Sequence, residues 1–193
     1  MKKSEIKICG VNDTAFAVEA ERLGADCLGF IFAEGSPRRV TADFVAATRR
    51  RLRGVARCVG VFTDGTIPEI IVKARACGLE IVQLHRRASA PEVSELRAAG
   101  FEVWTLAGGA EGDAVLFDSS HGDGERVLRK GPYKTVLAGG ISADNVGAAL
   151  RSGADVVDVS GSLERSRGVK SIERLKAFFD AVEFAKRKEG NKC

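Results

Sequence analysis

The sequence has few of the features that mark membrane, secreted or disulfide-rich proteins. No stretch of the 193 residues approaches the roughly 18 apolar residues of a membrane-spanning helix. The amino-terminal residues lead directly into a short strand pattern and not into the apolar core of a signal peptide. The five cysteines include no Cys-x-x-Cys pair, so we expect reduced thiols and a cytoplasmic location.

Metal sites and nucleic-acid binding are also not indicated. The only histidines, His85 and His121, have no metal-ligand spacing around them, so we expect no metal. A formal net charge of +4 suits small anionic ligands but is too diffuse to indicate nucleic acid. With 45% hydrophobic residues the chain can bury one core, and we expect a single domain over residues 1–193. The composition is compatible with a monomer or a homodimer.

Eight short apolar segments alternate with helical patterns. They cover residues 5–9, 26–32, 55–62, 80–84, 102–106, 114–117, 134–137 and 155–159. Nearly continuous apolar segments are typical of parallel strands buried on both faces, and eight β/α units indicate an α/β protein with the (β/α)8 TIM barrel fold. An open doubly wound sheet is the alternative, but it usually has fewer strands, and no G-x-G-x-x-G follows the first segment.

Capping signals predict where the helices begin and end. The predicted helices run from 12–13 to Gly24, from Thr41 to about Leu52, from Thr66 to Gly78, from Ser89 to Gly100, near 125–130, from Ser142 to Leu150, and from about Ser171 to Lys186. The spacings Thr66-x-x-Glu69 and Ser89-x-x-Glu92 are those of capping boxes. Residues 107–112 are too few for a helix and its two connections, so we expect a compact barrel with the fifth helix reduced or missing.

Polar residues stand at the carboxyl ends of the apolar segments, where a barrel carries its active site. They are Cys9, the loop with Arg38, Asp64, His85, Asp118, Gly139, Gly140, Asp158 and Ser160. Cys9 and Asp118 are candidates for a base and an acid on one rim. A thiol acts as a base only as the thiolate, and a general acid has to hold its proton at neutral pH. On position alone, a small buried hydrophobe is the commoner reading of Cys9, and a helix cap or a turn residue that of Asp118.

Three further side chains are candidates for substrate binding. Arg38 follows Pro37 in a loop, and an arginine suits a carboxylate through paired hydrogen bonds, although it is equally a surface residue. Asp158 lies inside an apolar strand, where a charge needs a partner or a task. His85 is as readily a rim residue with no chemical role.

The loops after the seventh and eighth strands are rich in glycine. Gly139-Gly140 and Ser160-Gly161-Ser162 occupy the places where such barrels commonly bind phosphate. Glycine lets the backbone approach an anion, and free N–H groups can hold it. The alternative is that both are simple turns.

At these residues the chain resembles the phosphoribosylanthranilate isomerase family of tryptophan biosynthesis. The matching segments are 7–10, 24–26, 29–32, 36–38, 59–62, 82–85, 116–119, 137–141, 145–146, 157–160 and 168–170, in the family's order. The resemblance implies a cofactor-independent aldose–ketose isomerase with a phosphosugar substrate. It would convert N-(5-phosphoribosyl)anthranilate to 1-(2-carboxyphenylamino)-1-deoxyribulose 5-phosphate.

The resemblance also implies a role for each site residue. Asp118 would be the general acid that opens the ribose ring, and Cys9 the general base that takes the C2 proton. Arg38 would bind the anthranilate carboxylate, and His85 and Asp158 would contact substrate. Gly139, Gly140, Ser160 and Gly161 would bind the phosphate.

The sequence departs from the family pattern in the loops. His121-Gly122-Asp123-Gly124 stands where the family usually has a Gly-Thr-Gly-Lys-like run, and Ser160-Gly161-Ser162 replaces Ser-Ser-Gly. Arg86 follows His85 where the family has glycine. The alternatives are another phosphosugar barrel, such as the histidine-pathway relatives that normally use two aspartates, or a barrel that binds phosphate ligands without catalysis.

Overall fold

Eight parallel strands close into a barrel in sequence order, with β8 pairing back onto β1. This computed structural model describes residues 4–118 and 130–190. The strands are β1 Glu5–Cys9, β2 Cys27–Ile31, β3 Arg57–Phe62, β4 Ile81–Leu84, β5 Glu102–Leu106, β6 Ala114–Asp118, β7 Lys134–Ala138 and β8 Val156–Val159. The predicted (β/α)8 barrel is confirmed.

Six helices surround the barrel in the described part of the chain. They are α1 Thr14–Leu23, α2 Ala42–Arg49, α3 Ile67–Cys77, α4 Ala90–Ala98, α5 Val146–Arg151 and α6 Ile172–Gly190. After β8 come a 3-10 helix, Gly161–Leu163, and an antiparallel pair, β9 Glu164–Ser166 and β10 Val169–Lys170. Within residues 4–118 and 130–190, no helix has both the length and the apolar character needed to cross a membrane.

The helix ends follow from local chemistry at the predicted capping residues. Glu69 accepts a hydrogen bond of 2.8 Å from the backbone N–H of Thr66, and Glu92 does the same for Ser89, which completes both capping boxes. Gly78 ends α3 with a φ of 63°, in the left-handed region that glycine adopts without strain.

No helix lies between β5 and β6, as expected, because residues 107–113 fold back directly onto β5. Asp113 accepts the backbone N–H of Val103 and donates its own N–H to the carbonyl of that residue. A Cβ on Gly112 would lie 2.2 Å from the same carbonyl oxygen, so only glycine allows this approach. The connection therefore replaces a helix with a tight turn.

Three predicted helix boundaries were wrong. The helix expected from Ser142 begins only at Val146, because residues 142–145 first form a turn in which Asn145 Oδ1 accepts the N–H of Ser142. α2 ends at Arg49 and not near Leu52. α6 continues beyond Lys186 to Gly190. The helix expected near 125–130 lies almost wholly outside the described residues, and the β9–β10 pair was not predicted.

The strands bury one set of side chains inside the barrel and the other against the helices. The interior set includes Cys9, Cys27, Val59, Ile81, Trp104, Leu116, Val136 and Val156. Strand residues alternate between the two faces, so Lys7 and Asp158 also point inward, two positions from Cys9 and Val156. Lys7 and Asp158 therefore pair inside the barrel, which explains how a charged residue is tolerated in the apolar run of β8.

Candidate active site

A cavity of about 550 Å³ opens at the carboxyl ends of the strands. The nine predicted site residues line it together: Cys9, Arg38, His85, Asp118, Gly139, Gly140, Asp158, Ser160 and Gly161. Asp64 does not; it lines a separate hollow outside the barrel, between α2 and α3. Ser119, Ser120 and the His121 loop lie outside the described residues.

Cys9 shares the barrel interior with a buried ion pair. Lys7 Nζ donates a hydrogen bond of 2.6 Å to Asp158 Oδ2, and the side chain of Lys7 is fully buried. Burial by itself would lower the pKa of Lys7, but the charge of Asp158 and then that of Cys9 raise it above its usual value. Burial raises the pKa of the Cys9 thiol, an effect that Lys7 opposes and Asp158 reinforces.

Arg38 is held in place by an acidic residue that the sequence did not indicate. Glu164, on β9, accepts hydrogen bonds from Nε and Nη2 of Arg38, the second at 2.9 Å, and contacts Lys170 Nζ at 3.1 Å. Burial would raise the pKa of Glu164, but the hydrogen bonds from Arg38 and the N–H of Gly168 and the charge of Lys170 hold it at about 2. Glu164 is therefore ionised at neutral pH and fixes the guanidinium.

Asp118 faces the cavity beside His85. Asp118 Oδ2 lies 3.9 Å from His85 Nε2, and its side chain is 12% exposed. Gln83 Nε2 lies 3.3 Å from His85 Nδ1, on the far side of the ring. Gln83 thus orients His85, and His85 presents its other nitrogen to the carboxyl group of Asp118.

Two buried acceptor atoms at the cavity have no hydrogen-bond donor among the described residues. They are Oδ1 of Asp158 and Oε1 of Gln83, and both residues line the cavity. An unsatisfied buried acceptor costs free energy, on the order of 1–3 kcal/mol. A ligand with hydroxyl or amine donors would satisfy both.

The loops after β7 and β8 present backbone groups to the same cavity. Gly139 and Gly140 have φ values of 90° and 61°, and Gly161 begins the 3-10 helix. Ser162 Oγ donates to the carbonyl of Ile141 at 2.6 Å, which ties the two loops together. Within residues 4–118 and 130–190, no hydrogen bond uses the backbone N–H of Gly140, Gly161 or Ser162. These N–H groups suit an anion.

Comparison with known proteins identifies the family. The family model described as N-(5'-phosphoribosyl)anthranilate (PRA) isomerase matches residues 6–181. The chain belongs to this family. An N-(5'-phosphoribosyl)anthranilate isomerase of Geobacter sp. (strain M21) is 35% identical over 91% of this chain and 96% of its own.

Solved structures of the family share the fold closely. The phosphoribosyl anthranilate isomerase of Thermus thermophilus superimposes with a TM-score of 0.81 at 29% identity, covering 93% of this chain and 98% of that one. A phosphoribosyl anthranilate isomerase in complex with reduced 1-(o-carboxyphenylamino)-1-deoxyribulose 5-phosphate gives a TM-score of 0.77 at 25% identity, with the same coverage.

Four residues near the site were not among the predicted site residues: Lys7, Gln83, Glu164 and Lys170. A signal existed for Lys7, because a charge inside the apolar β1, two residues before Cys9, has the same pattern as Asp158 in β8. Gln83 similarly stands in the apolar β4. Glu164 gave no signal, because a polar Glu-Arg-Ser segment looks like any loop.

Proposed function

We propose that this isomerase uses Asp118 as its general acid and Cys9 as its general base. As a member of its family the chain catalyses the Amadori rearrangement of N-(5-phosphoribosyl)anthranilate in tryptophan biosynthesis, an aldose–ketose isomerisation. The observation that carries the assignment is that the two side chains, from β6 and β1, face one cavity that also holds donors for both ends of the substrate. The mechanism requires no cofactor.

Asp118 acts first, on the ribose ring. Its carboxyl group protonates the ring oxygen, the C1–O bond breaks, and the anthranilate nitrogen forms a Schiff base with C1. Asp118 is mostly shielded from solvent, and His85 lies 3.9 Å away, where it can stabilise the carboxylate left after proton transfer. Ring opening is thus coupled to one proton donated by a mostly buried carboxyl group.

Cys9 acts second, on C2 of the opened sugar. Its thiolate takes the C2 proton, the electrons move into the C1–C2 bond, and an enolamine forms that tautomerises to the ketone. Lys7 stays protonated throughout, and its charge offsets that of the thiolate before the transfer.

The two ends of the substrate are held by opposite sides of the cavity. The hydrogen bonds from Arg38 to Glu164 use Nε and Nη2, and we assign Nη1 of Arg38 to the anthranilate carboxylate. We assign the phosphate to the backbone N–H groups of Gly139, Gly140, Ser160 and Gly161. Oδ1 of Asp158 accepts a hydrogen bond from the sugar between them.

Two expectations remain predictions: the location in the cytoplasm, and a monomer or homodimer as the working state. The loop 119–129, which departs from the family pattern at His121-Gly122-Asp123-Gly124, lies outside the described residues.

Steady-state turnover of freshly made phosphoribosylanthranilate, followed by the loss of its fluorescence, tests the assignment. We expect turnover by the wild type and a loss of about 100-fold or more in kcat for both Cys9→Ser and Asp118→Asn. Exposed Asp64, which lines a different hollow, provides the matched control Asp64→Asn with unchanged kcat. A folded wild type without turnover, or either variant at wild-type rate, would contradict the proposal.

A further inference from the structure

Lys7 lies inside the barrel, where most of the buried side chains are apolar. Its side chain is fully buried, and its neighbours inside the barrel include Trp104, whose ring centre is 5.9 Å from Lys7 Nζ. Burying an ammonium group is costly unless it is paired and hydrogen-bonded. Asp158 supplies the pair, but a stable barrel interior could be built from apolar residues alone. The pair therefore calls for a functional reason.

Three strands bring the pair to the thiol. Lys7 and Cys9 are two residues apart on β1 and point to the same face. Lys7 is in register with Asp158 on β8, and Cys9 with Gly29 on β2. A Cβ on Gly29 would lie 3.0 Å from Cys9 Sγ and 3.2 Å from Lys7 Cε. The missing side chain at Gly29 is what leaves room for the thiol and the lysine stem side by side.

We propose that Lys7 and Asp158 are positioning residues that set the protonation state of Cys9 in opposite directions, Lys7 favouring the thiolate and Asp158 the thiol. The proposal rests on the proposed role of Cys9 as the base. In this proposal the ion pair does more than stabilise the fold. Lys7 and Asp158 bind each other, and each also affects the protonation of the Cys9 sulfur.

The positive and negative charges near the Cys9 sulfur almost cancel one another. Arg38 and Lys170 add two positive charges near Cys9, and Glu164 adds a negative charge that contacts both. Together with Lys7 and Asp158, this gives three cations and two carboxylates. A Cys9 thiolate brings the group to neutrality, whereas a thiol leaves one excess positive charge.

Two further titratable side chains, Asp118 and His85, line the same cavity. Asp118 and His85 lie close enough to influence the charge of Asp158. His85 favours the charged form of Asp158, and Asp118 opposes it. Burial still raises the pKa of the Cys9 thiol, so the thiolate fraction depends on how strongly Lys7 opposes that effect.

Alkylation of Cys9 in the substrate-free enzyme tests the proposal without relying on turnover. Iodoacetamide labelling is followed across pH 6–10 by peptide mass spectrometry, which distinguishes the Cys9 peptide from those of the other four cysteines. For Lys7→Met we expect the profile of Cys9 to move to higher pH by about one unit or more, and for Asp158→Asn to lower pH. The control is Lys134→Met, a lysine on β7 paired with Glu5, for which we expect no shift.

Opposite shifts distinguish an electrostatic role from a structural one. Loss of an ion pair that only stabilised the fold would move both variants in the same direction or not at all, and that result would overturn the proposal. If Lys7→Met does not fold, the isosteric variant Asp158→Asn is sufficient to test the inference. An alkylation profile of Cys9 that moves to higher pH in this variant, or does not move, refutes it. Opposite shifts in an enzyme without turnover would leave this inference standing while the proposed function fails.

Discussion

Glu164 links the two positive side chains on the β2 and β8 side of the cavity, and its removal should cost stability in a pH-dependent way. We consider Glu164→Gln, which keeps the shape and removes the charge. Folding lowers the pKa of Glu164 from about 4.5 to about 2. At about 1.4 kcal/mol per unit, this corresponds to about 3 kcal/mol of stability at pH 7. The figure is an upper estimate, because the glutamine still accepts one hydrogen bond.

The sign follows from the direction of the shift. A carboxyl group whose pKa is lowered by folding stabilises the protein above its unfolded pKa, and this stability is lost as the pH falls from about 4.5 through about 2. The difference in unfolding free energy between wild type and Glu164→Gln should therefore be about 3 kcal/mol at pH 7 and shrink to about 1 kcal/mol at pH 3.

Urea unfolding at pH 7, 5, 4 and 3 measures this difference. The matched control is Glu183→Gln. The Glu183 carboxylate is mostly exposed and pairs with Lys186 one turn away, so its loss should cost less than about 0.5 kcal/mol at each pH. A loss below about 1 kcal/mol at pH 7, or a loss that stays constant down to pH 3, would refute the reasoning. The same variant should raise the KM for substrate, because Arg38 keeps at most one of its two hydrogen bonds to residue 164.

Three further predictions concern the site and its support. Gly29→Ala should lower kcat more than it raises KM in steady-state assays, because the added Cβ displaces Cys9 Sγ, and an unchanged kcat would count against the close packing. Turnover at saturating substrate should rise with pH from 7 to 9, because burial raises the pKa of the Cys9 thiol, and a flat profile would show that deprotonation of Cys9 does not limit the rate. Asp113→Ala should destabilise the protein by about 1–3 kcal/mol in urea unfolding with kcat unchanged, because the N–H of Val103 loses its acceptor far from the cavity, and a large loss of kcat would contradict this.

The barrel could be predicted from the sequence because its signals are local and repeated. Apolar strands of similar length, the capping boxes at Thr66 and Ser89 and a left-handed glycine such as Gly78 each act within a few residues. The missing fifth helix followed from counting, since residues 107–112 cannot span one. The helix expected at Ser142 failed because Asn145 competes for the same turn, a choice that local propensity does not decide.

The residues of the candidate site that lie at strand ends could be predicted from the sequence. Contacts between residues far apart in the chain could not. Cys9, Asp118 and Asp158 were expected at one end of the barrel from their positions in the strands, and all three line the same cavity. The partner of Arg38 is 126 residues away on β9, in a segment with no hydrophobic pattern, so nothing near Arg38 predicts it. Lys7 could have been found by the argument applied to Asp158, because both are charges inside apolar strands.

A deuterium label at ribose C2 tests the division of labour between the acid and the base most directly. In Cys9→Ala, removal of the C2 proton should limit the rate, so the labelled substrate should turn over markedly more slowly than the unlabelled one. In Asp118→Asn, ring opening should limit the rate, and the two substrates should react equally fast. Equal rates in Cys9→Ala, or a large isotope effect confined to Asp118→Asn, would contradict the assignment of Cys9 as the base and Asp118 as the acid.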